Sequence, residues 1–515
     1  MDTQHKEYDF VIIGSGMGGL CTAILLGMEG HSVLILEKNH QIGGSLQVFS
    51  RDKCIFDTGV HYIGSLDEGE TLNKIFRYMG ILDDLPLQRL DDESFDVLRF
   101  PSGKSYKMGQ GYENFKKGFY HEFPNDKDAI DQFCAKIIET CQYFPLYNLE
   151  VDSPNNYIEN PELLELDAWS YVSSLTDNVE LKSVLLGNGA LYAGEMHITP
   201  FYVVALITNS YIMGSYRIKN GGGEMSKLLA KKLRSVGGEI LKHQTVVSAE
   251  YDEKNVTALI TEDGTKYYGK NFISNLHPAA TIDLLGEKKF RPAYRKRIKK
   301  LKNTVSSFTL YLSLKENTFP YFNHNFYDFF IDHEDIWNIA DYKNNFDDKS
   351  WPQAIFSCTP VKKNQTEYAD SLSSMAFMDY EEVSQWGDTY NTIAKKGNRG
   401  ESYQEFKHKK EQQMIDRLSE RFPNIRECIK GVYSSTPVTY KNYIGTSDGS
   451  MYGIRKDVNN ILASQINAKT KIPNVYLTGQ SLIFHGILGT SIGALVTCFN
   501  FIDQENLVNK IKAAK

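Results

Sequence analysis

At 515 residues the chain is too long for one ordinary hydrophobic core, so two domains are expected; 41% hydrophobic and 23% charged residues are ordinary for a globular protein in water. The 57 basic and 64 acidic residues leave a net charge of −7, which excludes a general nucleic-acid binder. Seven cysteines without a CxxC pair read as buried free thiols in a reducing cytosol, and no metal site is indicated.

Met1–Glu7 is polar and leads straight into an apolar run, so no signal peptide is expected and a cytoplasmic location follows. Phe10, Val11, Ile12 and Ile13 form that run and predict a parallel strand buried on both faces. Gly14, Gly16 and Gly19 follow at GxGxxG spacing. The first glycine allows a tight turn, the second a close backbone approach to a pyrophosphate, the third close packing of helix on strand. A helix starting near Gly18 would aim its free N–H groups at the phosphates. Ser32–Glu37 predicts a second strand ending in a carboxylate placed to accept hydrogen bonds from ribose hydroxyls and to repel a ribose phosphate. This order builds a dinucleotide socket, and NAD and FAD both fit it.

Further along, Gly43–Gly44–Ser45 and Phe56–Tyr62 (FDTGVHY) add a second glycine group and a polar-aromatic segment. Cys134 and Cys141 share a helix face. His197–Tyr216 lacks Asp, Glu, Lys and Arg; it reads as a helix lining an apolar substrate cavity, with a segment dipping into a membrane as the alternative. A helix through Leu233 follows Gly221–Gly223, and strands are expected around Glu239–Leu241, Val246–Tyr251 and Ala258–Thr261. Lys288–Lys302 is the strongest charge run. It reads as a solvated helix face, or as a surface attracted to an anionic membrane. Val305–Leu314 alternates as a sheet strand does, and Phe319–Phe330 is dense in aromatics, either an ordinary core or the wall of a site for a long apolar ligand. Tyr403–Glu420 predicts a charged helix. The charge-free stretch Ile472–Ile502 is broken by Gly479, Gly486, Gly489 and Gly493 and reads as strand, glycine loop and buried helix.

Taken together, GxGxxG with Glu37, Gly43–Gly44, FDTGVHYIG at Phe56–Gly64, NGGGEMSKLL at Asn220–Leu229, ISNLHPAAT at Ile273–Thr281, STPVTYKNYIGTSDGSMYGI at Ser435–Ile454 and the closing glycine segment occur in one order from end to end. In this the chain resembles the FAD-dependent phytoene desaturase, carotenoid isomerase and retinol saturase superfamily, and within it most the retinol saturase-like proteins. Two departures stand out: Ser45 follows the glycine pair where many members carry Arg, and no Pro lies between Gly479 and Ala494.

The resemblance implies an α/β fold: a discontinuous Rossmann-type FAD-binding domain, with a parallel sheet and helices on both faces, plus a mixed α+β substrate domain. Residues 1–85, 218–285 and 431–515 would form the first, 86–217 and 286–430 the second. It implies FAD contacts from Gly14, Ser15, Gly16, Gly18, Gly19, Glu37, Lys38, Gly43, Gly44, Ser45, Asp57, Gly59, Gly479, Gln480, Gly489, Ser491 and Ile492, with Val247 meeting the adenine through its backbone. His61 and Tyr62 would line the reacting face of the flavin, where either could supply a proton to a carbon opposite a hydride transfer. A structural histidine and an aromatic packing wall are the competing roles for these two. Glu195, just before the apolar stretch, is a second candidate donor, since a carboxyl in an apolar cavity has a raised pKa; a salt-bridged glutamate is the competing role. His485 would sit by the flavin ring or cap the closing helix.

The function these residues favour is reduction of a carbon–carbon double bond in a long apolar polyene or isoprenoid. Desaturation, cis–trans isomerisation, amine oxidation and flavin-free prenyl binding, as in the Rab GDP-dissociation inhibitors, are the alternatives. One dinucleotide socket is legible, so the electron donor stays unassigned, and peripheral membrane contact is an open expectation.

Overall fold

The computed structural model describes residues 6–151, 161–341 and 348–514. Residues 1–5 of the polar leader lie outside the described residues, as do short parts of the segments 86–217 and 286–430.

The apolar run Phe10–Ile13 sits in the strand Glu7–Ile13, at the centre of a seven-stranded sheet. Val33–Glu37 runs parallel on one side and Lys266–Ser274 parallel on the other. Glu239–Lys242 extends the parallel array beyond Val33–Glu37, and Val475–Leu477 adds to the far end of Lys266–Ser274. The near end of Lys266–Ser274 instead pairs antiparallel with Asn255–Thr261, which pairs with Val246–Asp252. All five residues of Val33–Glu37 are buried, as a parallel strand covered on both faces requires.

Helix Met17–Met28 returns from the first strand and is buried along nearly its whole length. Helices Gly222–Ser235 and Gly486–Cys498 both pack against it. Close approach is written into the sequence as glycine: a Cβ on Gly27 would lie 2.7 Å from Val236. The charge-free stretch Ile472–Ile502 is thus a buried strand, a loop and a buried helix.

A second seven-stranded sheet runs in the order Ile429–Ser435, Ser306–Leu314, Ser371–Met378, Ala354–Cys358, Asn325–Phe329, Asp96–Arg99 and Ser105–Met108. Among the described residues of this sheet only Asn325–Phe329 and Asp96–Arg99 pair in parallel. Ser306–Leu314 alternates as its sequence predicts, yet every residue in it is buried, because Tyr311 on the more polar face packs against Phe49 and Phe56. Phe319, Phe322 and Phe326 gather around Phe422, so most of the aromatic run 319–330 is core.

Helix Phe201–Ile212 occupies the first charge-free stretch and packs on Lys127–Gln142. Among the described residues no helix is long and apolar enough to cross a membrane, and no cluster of ligating side chains could hold a metal. The basic run forms helix Pro292–Lys300. Arg295 and Lys299 pair with Glu287, and Arg297 caps the carbonyls of Ala463 and Gln465. All seven cysteines are buried and free.

Candidate functional site

One cavity of about 330 Å³ runs from the glycine turns of the first sheet into the space beneath helix Phe201–Ile212. At one end it is lined by Gly14, Gly16, Gly18, Glu37, Lys38, Gly43, Gly44 and Ser45. The backbones of Gly16 and Gly43 pair as an isolated parallel bridge, and a Cβ on Gly44 would lie 3.0 Å from the Cα of Gly16. Gly43 has φ 110°, which side chains rarely adopt. Backbone without side chains therefore forms this floor, the cradle a pyrophosphate needs.

Glu37 holds the cradle in shape. One carboxylate oxygen accepts from Ser15 N at 2.9 Å and Ser15 Oγ at 2.6 Å; the other accepts from Asn39 N at 2.8 Å. The side chain still faces the cavity, so lone pairs are left for hydroxyl donors. The residues present fit a dinucleotide with an unmodified ribose. Asn275, which sequence reasoning quoted within a motif but gave no role, is central here. A Cβ on Gly16, Gly18, Gly19 or Gly479 would fall within 3.2 Å of its side chain.

The other end of the cavity is apolar and aromatic. Val203, Leu206, Ile207 and Tyr211 project from one face of helix Phe201–Ile212, at the spacing of neighbouring turns. Phe356 and Met375 come from the second sheet and face them. His61 and Tyr62 lie between the two ends, both lining the cavity. His61 makes no hydrogen bond through Nδ1, and its ring lies against Phe356. Burial pushes its imidazole down to about 4, so it is neutral at physiological pH. Tyr62 donates to Asp96 Oδ2 at 3.0 Å, and its Oη lies 2.8 Å from that of Tyr327, also in the lining. The Tyr62 phenol is driven well up by burial, with Asp96 and Tyr327 adding to the effect.

Gly59, Gln480, Gly489 and Ile492 line the cavity as well. Ser15, Gly19, Gly479 and Ser491 support it from behind: Gly19 lies against the Gly14 carbonyl, and Ser491 Oγ donates to Ile487 O within its own helix. Asp57 does not reach the lining. Its buried carboxylate accepts from Gly222 N at 2.6 Å and so fixes the start of helix Gly222–Ser235, while burial pushes its carboxyl up to about 7. The Val247 side chain is 48% exposed while its neighbour Val246 lines the cavity, since a strand turns alternate side chains to opposite faces; the contact expected of Val247 is through its backbone.

Glu195 takes the salt-bridged form that competes with the donor role. It is absent from the lining, and its carboxylate is held 2.6 Å from Arg455 Nη1. Burial raises its pKa while Arg455 opposes the shift, so it is a paired internal acid. His485 is the N-cap residue of helix Gly486–Cys498 but makes no side-chain capping hydrogen bond; its ring stacks on Tyr452 at 4.4 Å with Nε2 3.2 Å from Leu191 O. Lys456 was missed: it lines the cavity, its Nζ donates to Ser464 O and Leu482 O, and burial brings it down to about 8. Neither Asp96 nor Lys456 carries a local sequence signal.

A glycine cradle continuous with an apolar chamber, on a two-domain Rossmann-type scaffold, defines a dinucleotide-dependent class of protein. The family described as an NAD(P)-binding Rossmann-like domain matches residues 12–79. The chain is 26% identical to all-trans-retinol 13,14-reductase of Danio rerio over 98% of this chain and 87% of that protein. It is 25% identical to the Homo sapiens reductase of the same name, with the same coverage. The chloroplastic prolycopene isomerase of Daucus carota is 23% identical over 93% of this chain and 77% of its own. The resemblance read from the motifs therefore extends over nearly the whole sequence. Among solved structures, an oxidoreductase from Methanosarcina mazei matches with TM-score 0.61 at 14% identity, covering 94% of this chain and 98% of that one. Putrescine oxidase matches with TM-score 0.63 at 12% identity, covering 99% and 100%. These likenesses establish the fold.

Proposed function

We propose that this protein saturates a carbon–carbon double bond of a long apolar polyene of retinoid or carotenoid type. It is an enzyme, an FAD-dependent oxidoreductase. Bound FAD supplies a site, its N5, that gives or takes hydride. The observation that carries the proposal is the continuity of the cavity. The same space is floored by the glycine cradle at Gly16 and Gly43 and walled by Leu206, Ile207, Phe356 and Met375. A polyene laid against that wall would bring its double bonds past His61 and Tyr62. Its relatives' names add to this, since they include a retinol reductase and a prolycopene isomerase.

Residues 1–85, 218–285 and 431–515 would hold the cofactor, and 86–217 with 286–430 the substrate. Glu37 and the cradle orient the nucleotide. The helix Phe201–Ile212 excludes water and positions the chain. Tyr62 carries the proton for the second carbon, while His61, neutral and unbonded at Nδ1, would accept or orient a polar group of the ligand. Such a substrate resides in lipid, and the exposed cations Arg291, Lys296 and Lys300 would let the protein touch an anionic bilayer from outside.

The test is anaerobic. The flavin is photoreduced, all-trans-retinol or another short polyene is added, and flavin absorbance is followed. Reoxidation with a product two hydrogens heavier is expected. Flavin that stays reduced with every polyene offered would remove saturation and leave isomerisation.

A further inference from the structure

We propose that Asp96 stores the proton that Tyr62 delivers into the chamber, so that Asp96, Tyr62 and Tyr327 form one buried proton relay. The proposal rests on the reductive function above.

The relay is built by the parallel pairing of Asp96–Arg99 with Asn325–Phe329. Asp96 stands opposite Asn325 in register, and Tyr327, two residues on, falls on the same face as Asn325. Asp96 is fully buried and stays behind the chamber wall, whereas Tyr62 and Tyr327 line it. Asp96 Oδ2 lies 3.0 Å from Tyr62 Oη, which lies 2.8 Å from Tyr327 Oη. Asp96 Oδ1 accepts from Asn325 Nδ2 at 2.8 Å, and Asn325 Oδ1 accepts from Arg217 Nη2 at 2.8 Å. The nearest cation is thus one amide removed; among the described residues no salt bridge reaches Asp96. The groups facing it are Tyr62, Tyr327, Tyr211, Asn325 and Arg217.

An asparagine here would accept from Asn325 through its oxygen and donate to the Tyr62 oxygen through its amide, with no charge to desolvate. An unpaired acid is instead held near the point of titration. Burial pushes its carboxyl up to about 7, restrained by Asn325, Tyr62 and Arg217.

Saturation adds one hydride and one proton across the double bond, and the relay accounts for the proton. The O–H bond of Tyr62 breaks as a C–H bond forms at the second carbon. Asp96 Oδ2 gives its proton to the Tyr62 oxygen and is left as carboxylate. That carboxylate takes a proton from water once product has left. No electrons move in the relay.

Infrared difference spectra of the whole protein between pH 5 and pH 9 test this without turnover. The wild type should show carbonyl stretches of protonated carboxyls that disappear near neutral pH; D96N should lose the Asp96 component and keep that of Asp57, which titrates in the same range. Y62F keeps the acid and serves if D96N does not fold. Losing a hydrogen bond that favours the carboxylate should move the Asp96 component's titration to higher pH. In turnover, wild-type rates should fall above about pH 7. D96N should lose that limb together with up to about 100-fold of rate, the scale of general acid catalysis. A wild-type protein with no carboxyl titrating near neutrality, or a band unchanged in D96N or Y62F, overturns the relay whatever the activity. A protein that shows the band yet reduces no polyene leaves the proton store in place and removes the saturase function instead.

Discussion

Gly18 and Gly479, from opposite ends of the chain, meet backbone to backbone: a Cβ on Gly18 would lie 2.8 Å from the Cα of Gly479 and 2.8 Å from Asn275 Oδ1. The Gly479 obstacle is backbone just beyond a strand end of the parallel sheet, so it cannot retreat as the Asn275 side chain could. G18A should therefore lose bound flavin. The measurement is the ratio of flavin to protein absorbance after purification, and a variant as yellow as wild type would show that the contact gives way.

Glu37 serves two purposes, and a substitution should separate them. E37A strands the N–H groups of Ser15 and Asn39, so the apoprotein should lose roughly 1–3 kcal/mol, on the scale of a buried donor left unsatisfied. E37Q keeps one of the two acceptor oxygens and should restore part of that stability, yet it removes the charge that repels a ribose phosphate. Urea midpoints of the two apoproteins, with FAD titrations beside them, check both statements.

Ile207 offers a way to block the chamber without touching the cradle, since it lines the cavity from helix Phe201–Ile212. I207W should keep its flavin and weaken polyene binding at least about tenfold, or about 1.4 kcal/mol. Quenching of flavin fluorescence by added polyene reports this directly. Unchanged affinity would place the ligand elsewhere.

Glu195 and Arg455 form an internal ion pair rather than a donor site, so E195Q should leave the pH profile of turnover in place. Stability should fall by less than the roughly 1.5–3 kcal/mol of a hydrogen bond to a charged group, because the glutamine oxygen still accepts from Arg455 while Asp457 keeps its ion pair. Loss of activity with unchanged stability would restore Glu195 as a candidate donor.

Asp57 gives a stability test with a definite sign. Its folded carboxyl titrates at about 7, against about 3.9 for an unfolded aspartate. Between those values the folded state binds a proton that the unfolded state does not, so its contribution is full below the lower value and is lost as pH rises through the upper. The stability of wild type minus that of D57N should fall between pH 5 and pH 7.5, by at most about 1.4 kcal/mol per pH unit, and then level off. A rising difference would contradict the burial of this group.

Sequence alone determined what depends on local pattern. The apolar run at Phe10–Ile13, the GxGxxG spacing and Glu37 dictate strand, turn, helix and acid, because each needs only neighbours in the chain. The lack of charge across 197–216 likewise announced a buried helix. Tertiary structure decided which of these surfaces meet. Tyr62 and Tyr327 share a hydrogen bond across 265 residues of sequence, and Asp96 is set beside Asn325 by a strand pairing that no local signal encodes. Glu195 and Asp57 were legible as acids, but which partner each would find was not, since Arg455 and Gly222 are remote in sequence. The pKa of a buried group follows its partners and its burial, and both are properties of the packed molecule rather than of the chain.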